Sequence, residues 1–390
     1  MPDRFISIYI HIPFCRTRCR YCDFNTYAGC EHLIDLYVSA LKDEIEKVSS
    51  SIKDGHIAGT IYFGGGTPTI LNEKQLSNIL QTLRNNFKLT GDIEVTTEAN
   101  PQKIQAQYLE DLRSEGINRI SFGMQSAVKS ELEILGRNRK FSDVKESLER
   151  ARSAGFQNIN LDLIFGIPTQ TLSSWKETLE RAIALEPEHL SLYSLILEEN
   201  TPIHRDIQDG KLSPTDSDME AEMYAHAMDY LEGAGFNQYE ISNWAKSGDY
   251  QCRHNLQYWR NGPYFGFGAG AHSHYSHMRW ANETSIPQYI HRILENSGST
   301  PAAVEIQKLD KMDEIRETIM MGLRLTKEGI VANCFNDRFS TEISDLFGSE
   351  IKDLTDKGLI EEYSTEKKKG IRLTRRGRML GNQVFLQFMD

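Results

Sequence analysis

The chain has 390 residues, enough for one large domain and a small one, each with its own core. Hydrophobic residues at 39% and charged residues at 25% fit a soluble globular protein, and a formal net charge of −11 argues against bulk nucleic-acid binding. No stretch approaches the roughly twenty apolar residues of a membrane span, and Phe5 to Phe14, broken by His11 and Pro13, lacks a signal-peptide layout. Six cysteines, three of them clustered, make no disulfide framework, so a cytoplasmic location is expected.

Strand one is predicted over Phe5 to Ile12, followed by a helix from Leu33 to Ser50 with Leu33, Tyr37, Leu41, Ile45 and Val48 on one face. Strand two is Thr60 to Phe63, and Asn72 reads as the N-cap of a helix carrying Leu76, Ile79, Leu80, Leu83 and Phe87 inward. Strands three to six are expected at Ile93–Thr97, Arg119–Phe122, Ile159–Phe165 and Leu190–Leu197. Repeated strand–helix units predict an α/β fold with a parallel sheet, open or closed into a barrel. Residues 1–235 read as this unit. A loop-rich aromatic segment, 236–284, is expected to pack on it. Residues 285–390 read as a helical, winged-helix-like domain ending in a two-stranded hairpin.

The polar punctuation sits at the carboxyl ends of the strands, the functional edge of parallel sheets and barrels. Cys15, Cys19 and Cys22 follow strand one, Gly64-Gly-Gly-Thr-Pro68 follows strand two, and Glu98 ends strand three. Gln125, Gly166-Ile-Pro168 and Glu198-Glu199 follow strands four, five and six. Three thiols in eight residues cannot all pair as disulfides, but they can fill three positions of a metal or iron–sulfur site and leave one open. A structural zinc site with His11 as fourth ligand is the bland alternative. Glycines at 64–66 would let the backbone approach a ligand closely, and Glu98 would accept hydrogen bonds from it.

Cys-x3-Cys-x2-Cys after the first strand resembles the radical S-adenosylmethionine superfamily. There, three cysteines hold a [4Fe–4S] cluster whose free iron chelates the methionine end of the cofactor, and electron transfer releases a 5′-deoxyadenosyl radical. His11-Ile-Pro-Phe-Cys15, Tyr21-Cys-Asp-Phe-Asn25, Phe63-Gly-Gly-Gly-Thr-Pro68, Glu98-Ala-Asn-Pro101, Ser121-Phe-Gly-Met-Gln125, Asp162-Leu-Ile-Phe-Gly-Ile-Pro168 and Ser191-Leu-Tyr-Ser-Leu195 narrow the resemblance to the branch similar to the oxygen-independent coproporphyrinogen III oxidases. The resemblance implies a partial parallel (β/α)6 barrel. It also implies S-adenosylmethionine bound by Tyr9, Tyr21, Gly65, Gly66, Thr67, Glu98, Gln125, Arg137 and Asp162. Arg139 departs from the histidine expected there and puts the local contacts of its loop in question.

Within the branch, the oxidases carry a fourth cysteine two positions past the third and a longer arm before the cluster. Here that position is Phe24, and fourteen residues precede Cys15. Both departures point to the HemW-type haem chaperones, as does His254-Asn-Leu-Gln-Tyr-Trp259, which resembles their haem motif. The resemblance implies haem bound by His254, Tyr258 and Trp259, with transfer to haem-requiring clients such as respiratory enzymes and no catalytic residue required. Cys252, His272, His274 and His277 are unranked candidates for a second ligand. Two rivals stand beside this reading. One is oxidative decarboxylation of coproporphyrinogen III to protoporphyrinogen IX. The other is a zinc-stabilised DNA-binding regulator using the basic tail from Lys367 to Arg378.

Overall fold

Side chains alternate across a strand, so a strand whose odd and even residues differ in polarity must separate two environments. The computed structural model, which describes residues 5–52, 56–101, 104–366 and 368–389, shows this for six parallel strands. They are β1 (Phe5–Ile12), β2 (Ile57–Gly65), β3 (Lys88–Ala99), β4 (Arg119–Gln125), β5 (Ile159–Phe165) and β6 (His189–Ser194), each bonded in parallel to the next. Ile6, Ile8, Ile10 and Ile12 of β1, with Leu161, Leu163 and Phe165 of β5, enter the main apolar core. The other face lines a polar lumen with Ser7, Tyr9, His11, Thr60, Tyr62, Glu98, Arg119, Ser121, Asp162 and Ser191.

The helices that cover the outer face are amphipathic as their periodicity requires. Helix α1 (Ile34–Ser51) buries Tyr37, Leu41, Ile45 and Val48. Helix α2 (Glu73–Asn86) begins at a reciprocal capping box: Gln75 N–H donates to the Asn72 side chain, and Asn72 N–H to that of Gln75, both at 2.9 Å. Such a cap contributes about 1 kcal/mol.

The sheet is wider than six strands. On one side β7 (Asn237–Glu240) and β8 (Asn243–Ala245) run antiparallel beside β6. On the other, β9 (Tyr264–Phe267) lies parallel to β1 and is followed by antiparallel β10 (His272–Tyr275), β11 (Met278–Asn282) and β12 (Ala303–Lys308), making twelve strands. The aromatic segment is therefore not loop-rich. It extends both edges of the partial barrel and carries helix Arg253–Trp259 between them. Strand six ends at Ser194, short of the expected Leu197. Leu195 leaves the strand to join a satellite core with Leu135, Ile164, Ile167 and Ile203, which is why the apolar run continues past it and why Glu198 and Glu199 lie in the following loop.

Helix Ile286–Glu295 and β12, grouped in sequence with the C-terminal unit, pack with the main body, and Ile286, Tyr289, Ile293 and Ala302 lie in its core. A second core runs from Ile315 to Phe388. It is built from helix Lys311–Gly322, strand Ile330–Val331, helices Ala332–Phe339 and Ile343–Asp356, and hairpin strands Ile360–Ser364 and Lys369–Leu373, in winged-helix order. The basic tail is occupied internally: Arg372 pairs with Glu361, Arg375 with Asp229, and Arg378 donates to Gln238, while Lys367 lies outside the described residues. Among the described residues no helix is long and apolar enough to cross a membrane.

Candidate functional site

The cysteine loop leaves β1 at the carboxyl edge, where the glycine loop leaving β2 meets it. Gly66 N–H donates to Ile12 O at 2.8 Å and Thr67 N–H to Phe14 O at 2.9 Å. A side chain on Gly66 would meet Phe14 O at 2.5 Å and Cys15 Sγ at 3.0 Å, and one on Gly65, at φ +108°, would strike the His11 ring. Glycine is needed there for both space and backbone angle.

The loop is braced on both flanks. On one side Arg20 N–H donates to Leu135 O at 3.1 Å, Ile203 N–H donates to Arg20 O at 3.1 Å, and the Arg20 guanidinium pairs with Asp206. On the other, the Asn25 amide donates to Ala269 O and Thr284 O, each at 3.0 Å, and Tyr27 OH donates to Thr284 O at 3.1 Å. Cys15, Cys19 and Cys22 are all free and half-buried. Cys15 Sγ lies 3.7 Å from Thr67 Oγ1, and Cys22 Sγ 3.8 Å from Thr26 Oγ1. Burial raises the Cys15 thiol pKa, the Thr67 contact lowers it, and the neighbouring Cys19 and Cys22 raise it again. A thiol whose ionisation is hindered by burial and by two neighbouring thiols suits a cationic metal group, which removes that penalty.

His11 cannot serve as a fourth metal ligand. Its Nε2–H donates to Asn25 O at 2.9 Å, so Nδ1 accepts from Tyr9 OH at 3.0 Å, and both nitrogens are committed. Among the described residues no three His, Cys, Asp or Glu side chains converge on a single-ion site. The zinc reading loses its fourth donor.

The lumen beside the loop gathers the other residues singled out in the sequence. Glu98 accepts from Tyr62 OH at 2.9 Å and from Gly65 N–H. Burial, then the Asp162 charge, pushes its carboxyl pKa up to about 8. Asp162 accepts from Ser121 Oγ at 3.0 Å and Asn160 Nδ2 at 2.8 Å; its pKa is also raised by burial, against those two bonds. Gln125 ends β4 at φ +65°, with its buried Oε1 unpartnered. Arg137 donates to Tyr21 OH at 2.9 Å and leaves a buried Nε without a partner. Unpartnered buried donors and acceptors beside bare glycine backbone fit a polar, zwitterionic ligand. Arg139, buried next to Arg137, ties the Met124 carbonyl at 3.0 Å beside the turn at Gln125. Tyr62, Asn25 and Asn160 escaped sequence reasoning, although a polar residue at every second position of an apolar strand marks Tyr62 and Asn160.

His254 lies deeper in the barrel, its ring stacked 5.1 Å from that of Tyr62. Helix Arg253–Trp259 closes the amino-end floor of the barrel, and His254 is 1% exposed there. Thr60 Oγ1 donates to Ser7 Oγ at 2.7 Å, so His254 Nδ1–H donates to Thr60 at 2.8 Å, and Nε2 accepts from Tyr258 OH at 2.9 Å. Neither nitrogen faces an open cleft. The Tyr258 ring is 4.6 Å from that of Tyr264, and Trp259 lies under the Arg324 guanidinium at 4.7 Å. In this conformation the polar atoms of His254 and Tyr258 are occupied by the fold, while the buried Trp259 Nε1 has no partner.

Comparison with known proteins places these features. Residues 9–182 match the Radical SAM superfamily model, and residues 309–380 match the HemN C-terminal domain. The chain is 40% identical to the protein named heme chaperone HemW of Bacillus subtilis (strain 168) over 385 residues, covering 98% of this chain and 99% of that one. Against the heme chaperone HemW of Lactococcus lactis the identity is 34%, covering 98% and 97%. The solved structure of the coproporphyrinogen III oxidase HemN from Escherichia coli, described as a radical SAM enzyme, superposes with a TM-score of 0.85 at 26% identity, covering 100% of this chain and 91% of that one.

Proposed function

We propose, from the premise that this chain belongs to the HemW family of the radical SAM superfamily, that it is a haem chaperone that binds haem and hands it to client proteins. The observation that carries this is the near-complete match to HemW proteins at 40% and 34% identity, joined to the braced cysteine loop. Cys15, Cys19 and Cys22 would hold a [4Fe–4S] cluster, whose open iron position supplies the anchoring and electron transfer on which the superfamily's chemistry rests. Tyr9, Tyr21, Gly65, Gly66, Thr67, Glu98, Gln125, Arg137 and Asp162 would line the S-adenosylmethionine site. Glycine backbone at 65 and 66 would offer close approach, Glu98 would accept hydrogen bonds, and the Arg137 guanidinium would supply a donor to a carboxylate. Asn160 and Ser121 hold Asp162 in place by the bonds described.

Clients are haem-requiring proteins, with respiratory enzymes the natural class. A reducing cytoplasm suits three free thiols that must meet iron before oxygen. Haem binding in this reading does not depend on His254 as iron ligand.

Likeness to HemN keeps one rival in view. Where the oxidases add a fourth cysteine, this chain presents Phe24, 69% exposed. Cluster-reconstituted protein should bind haem stoichiometrically, pass it to an apo-client and leave coproporphyrinogen III unchanged. Decarboxylated product without haem uptake would reverse the assignment.

A further inference from the structure

A haem carrier needs a ligand for iron, and the usual one is a neutral imidazole with an open nitrogen. Around the lumen the imidazoles are largely spoken for. His11 is bonded to Tyr9 and Asn25, His189 to Asn160 and Tyr239, and His254 to Thr60 and Tyr258. His274 leaves its Nδ1 without a partner but is 4% exposed, packed against Tyr264. His272 differs from all of them: it is exposed, and its ring makes no hydrogen bond among the described residues.

Its position follows from register. Tyr9 of β1 lies opposite Gly266 of β9, and the pairing of Tyr264 with His274 sets Gly266 level with His272. Alternation then puts His272 on the face of Tyr9 and His11, while Phe265, Tyr275 and Trp280 pack together on the other face. His272 is close enough to His11 to perturb its titration. The turn that precedes it, through Gly270, packs on Asn25 of the cysteine loop. That loop also carries the exposed Phe24 ring and two exposed arginines, Arg16 and Arg18, the latter 3.5 Å from the Phe24 carbonyl. An open imidazole next to a loop that carries an apolar ring and two cations matches the parts of haem: iron, macrocycle and two carboxylates.

We propose that His272 is the haem-iron ligand, with the porphyrin lying over the open side of the lumen against the cysteine loop and its carboxylates toward Arg16 and Arg18. The proposal rests on the haem-chaperone reading and assigns its ligand. The His254 motif then serves as the floor that keeps the barrel shut beneath the cargo.

Hemin titration of the full-length, cluster-reconstituted chain tests it. His272→Ala should lose the nitrogen-ligated Soret and electron-spin signature and bind about tenfold or more weakly, and added imidazole should restore the signature. His254→Ala should keep that signature while melting at lower temperature. Unaltered spectra in folded His272→Ala, with the loss in His254→Ala instead, would overturn the assignment. Arg16→Ala/Arg18→Ala should weaken hemin but leave a carboxylate-esterified porphyrin unaffected; equal weakening of both refutes the carboxylate contact. Wild-type protein that takes up no hemin at all would sink the chaperone reading itself, a result distinct from either variant outcome.

Discussion

Glu98 gives the sharpest test of the S-adenosylmethionine site. Burial and the neighbouring Asp162 charge push its pKa up to about 8, so Glu98 is largely protonated at neutral pH. A cationic ligand is better served by the carboxylate, so binding must drive off the proton, and affinity must rise with pH until Glu98 is ionised. With a pKa near 8, roughly a tenth of the carboxyls are ionised at pH 7 and a hundredth at pH 6. Affinity for S-adenosylmethionine should therefore climb about tenfold from pH 6 to 7, about 1.4 kcal/mol, then about fivefold from pH 7 to 8, and level off near pH 9. Glu98 is half-buried, so solvent screening makes this slope an upper limit. Equilibrium binding at four pH values, run in parallel with Glu98→Gln, reads the effect. The ligand's own amino group titrates in both proteins and cancels in the ratio. A flat wild-type profile, or an equal slope in Glu98→Gln, refutes the reasoning.

Two further outcomes follow from the packing. Gly66→Ala would push a methyl group into Phe14 O and Cys15 Sγ, a cost of about 1–3 kcal/mol, so the variant should hold less iron, bleach faster in air and melt a few degrees lower. Glu44, 2% exposed, accepts from Tyr289 OH, Gly268 N–H and Asn282 Nδ2, and burial raises its pKa from 4.5 to about 7. The folded chain thus keeps a proton that the unfolded chain releases, so this contribution to stability falls as pH rises through that window, by about 3 kcal/mol. Urea midpoints of Glu44→Gln should vary less between pH 5 and 8 than those of the wild type, and an identical variation would rule the carboxyl out as the cause.

The strand–helix half of the chain was legible because its signals are local. β1 and β5 have their expected bounds, and the Asn72 cap is present. Cysteine spacing marked the cluster loop for the same reason: three donors within eight residues need no tertiary contact to be noticed. The second half resisted because its order depends on distant partners. Tyr264–Phe267 becomes a strand only beside β1, and the apolar run after Ser194 is drawn into the satellite core around Ile167. Histidine roles resisted most of all. Nothing in a linear sequence distinguishes His254, sealed by Thr60 and Tyr258, from His272, left open on the rim.

The bracing of the cysteine loop also fixes when iron can be fitted. Asn25 is anchored to carbonyls 244 and 259 residues downstream, and Glu44 of α1 clasps the same late segment. A ribosome that has delivered all three thiols has therefore yet to make the scaffold that steadies them. Any metallation that needs this brace belongs after synthesis, and a polypeptide ending before residue 269 would carry the sulfurs without the Asn25 anchor.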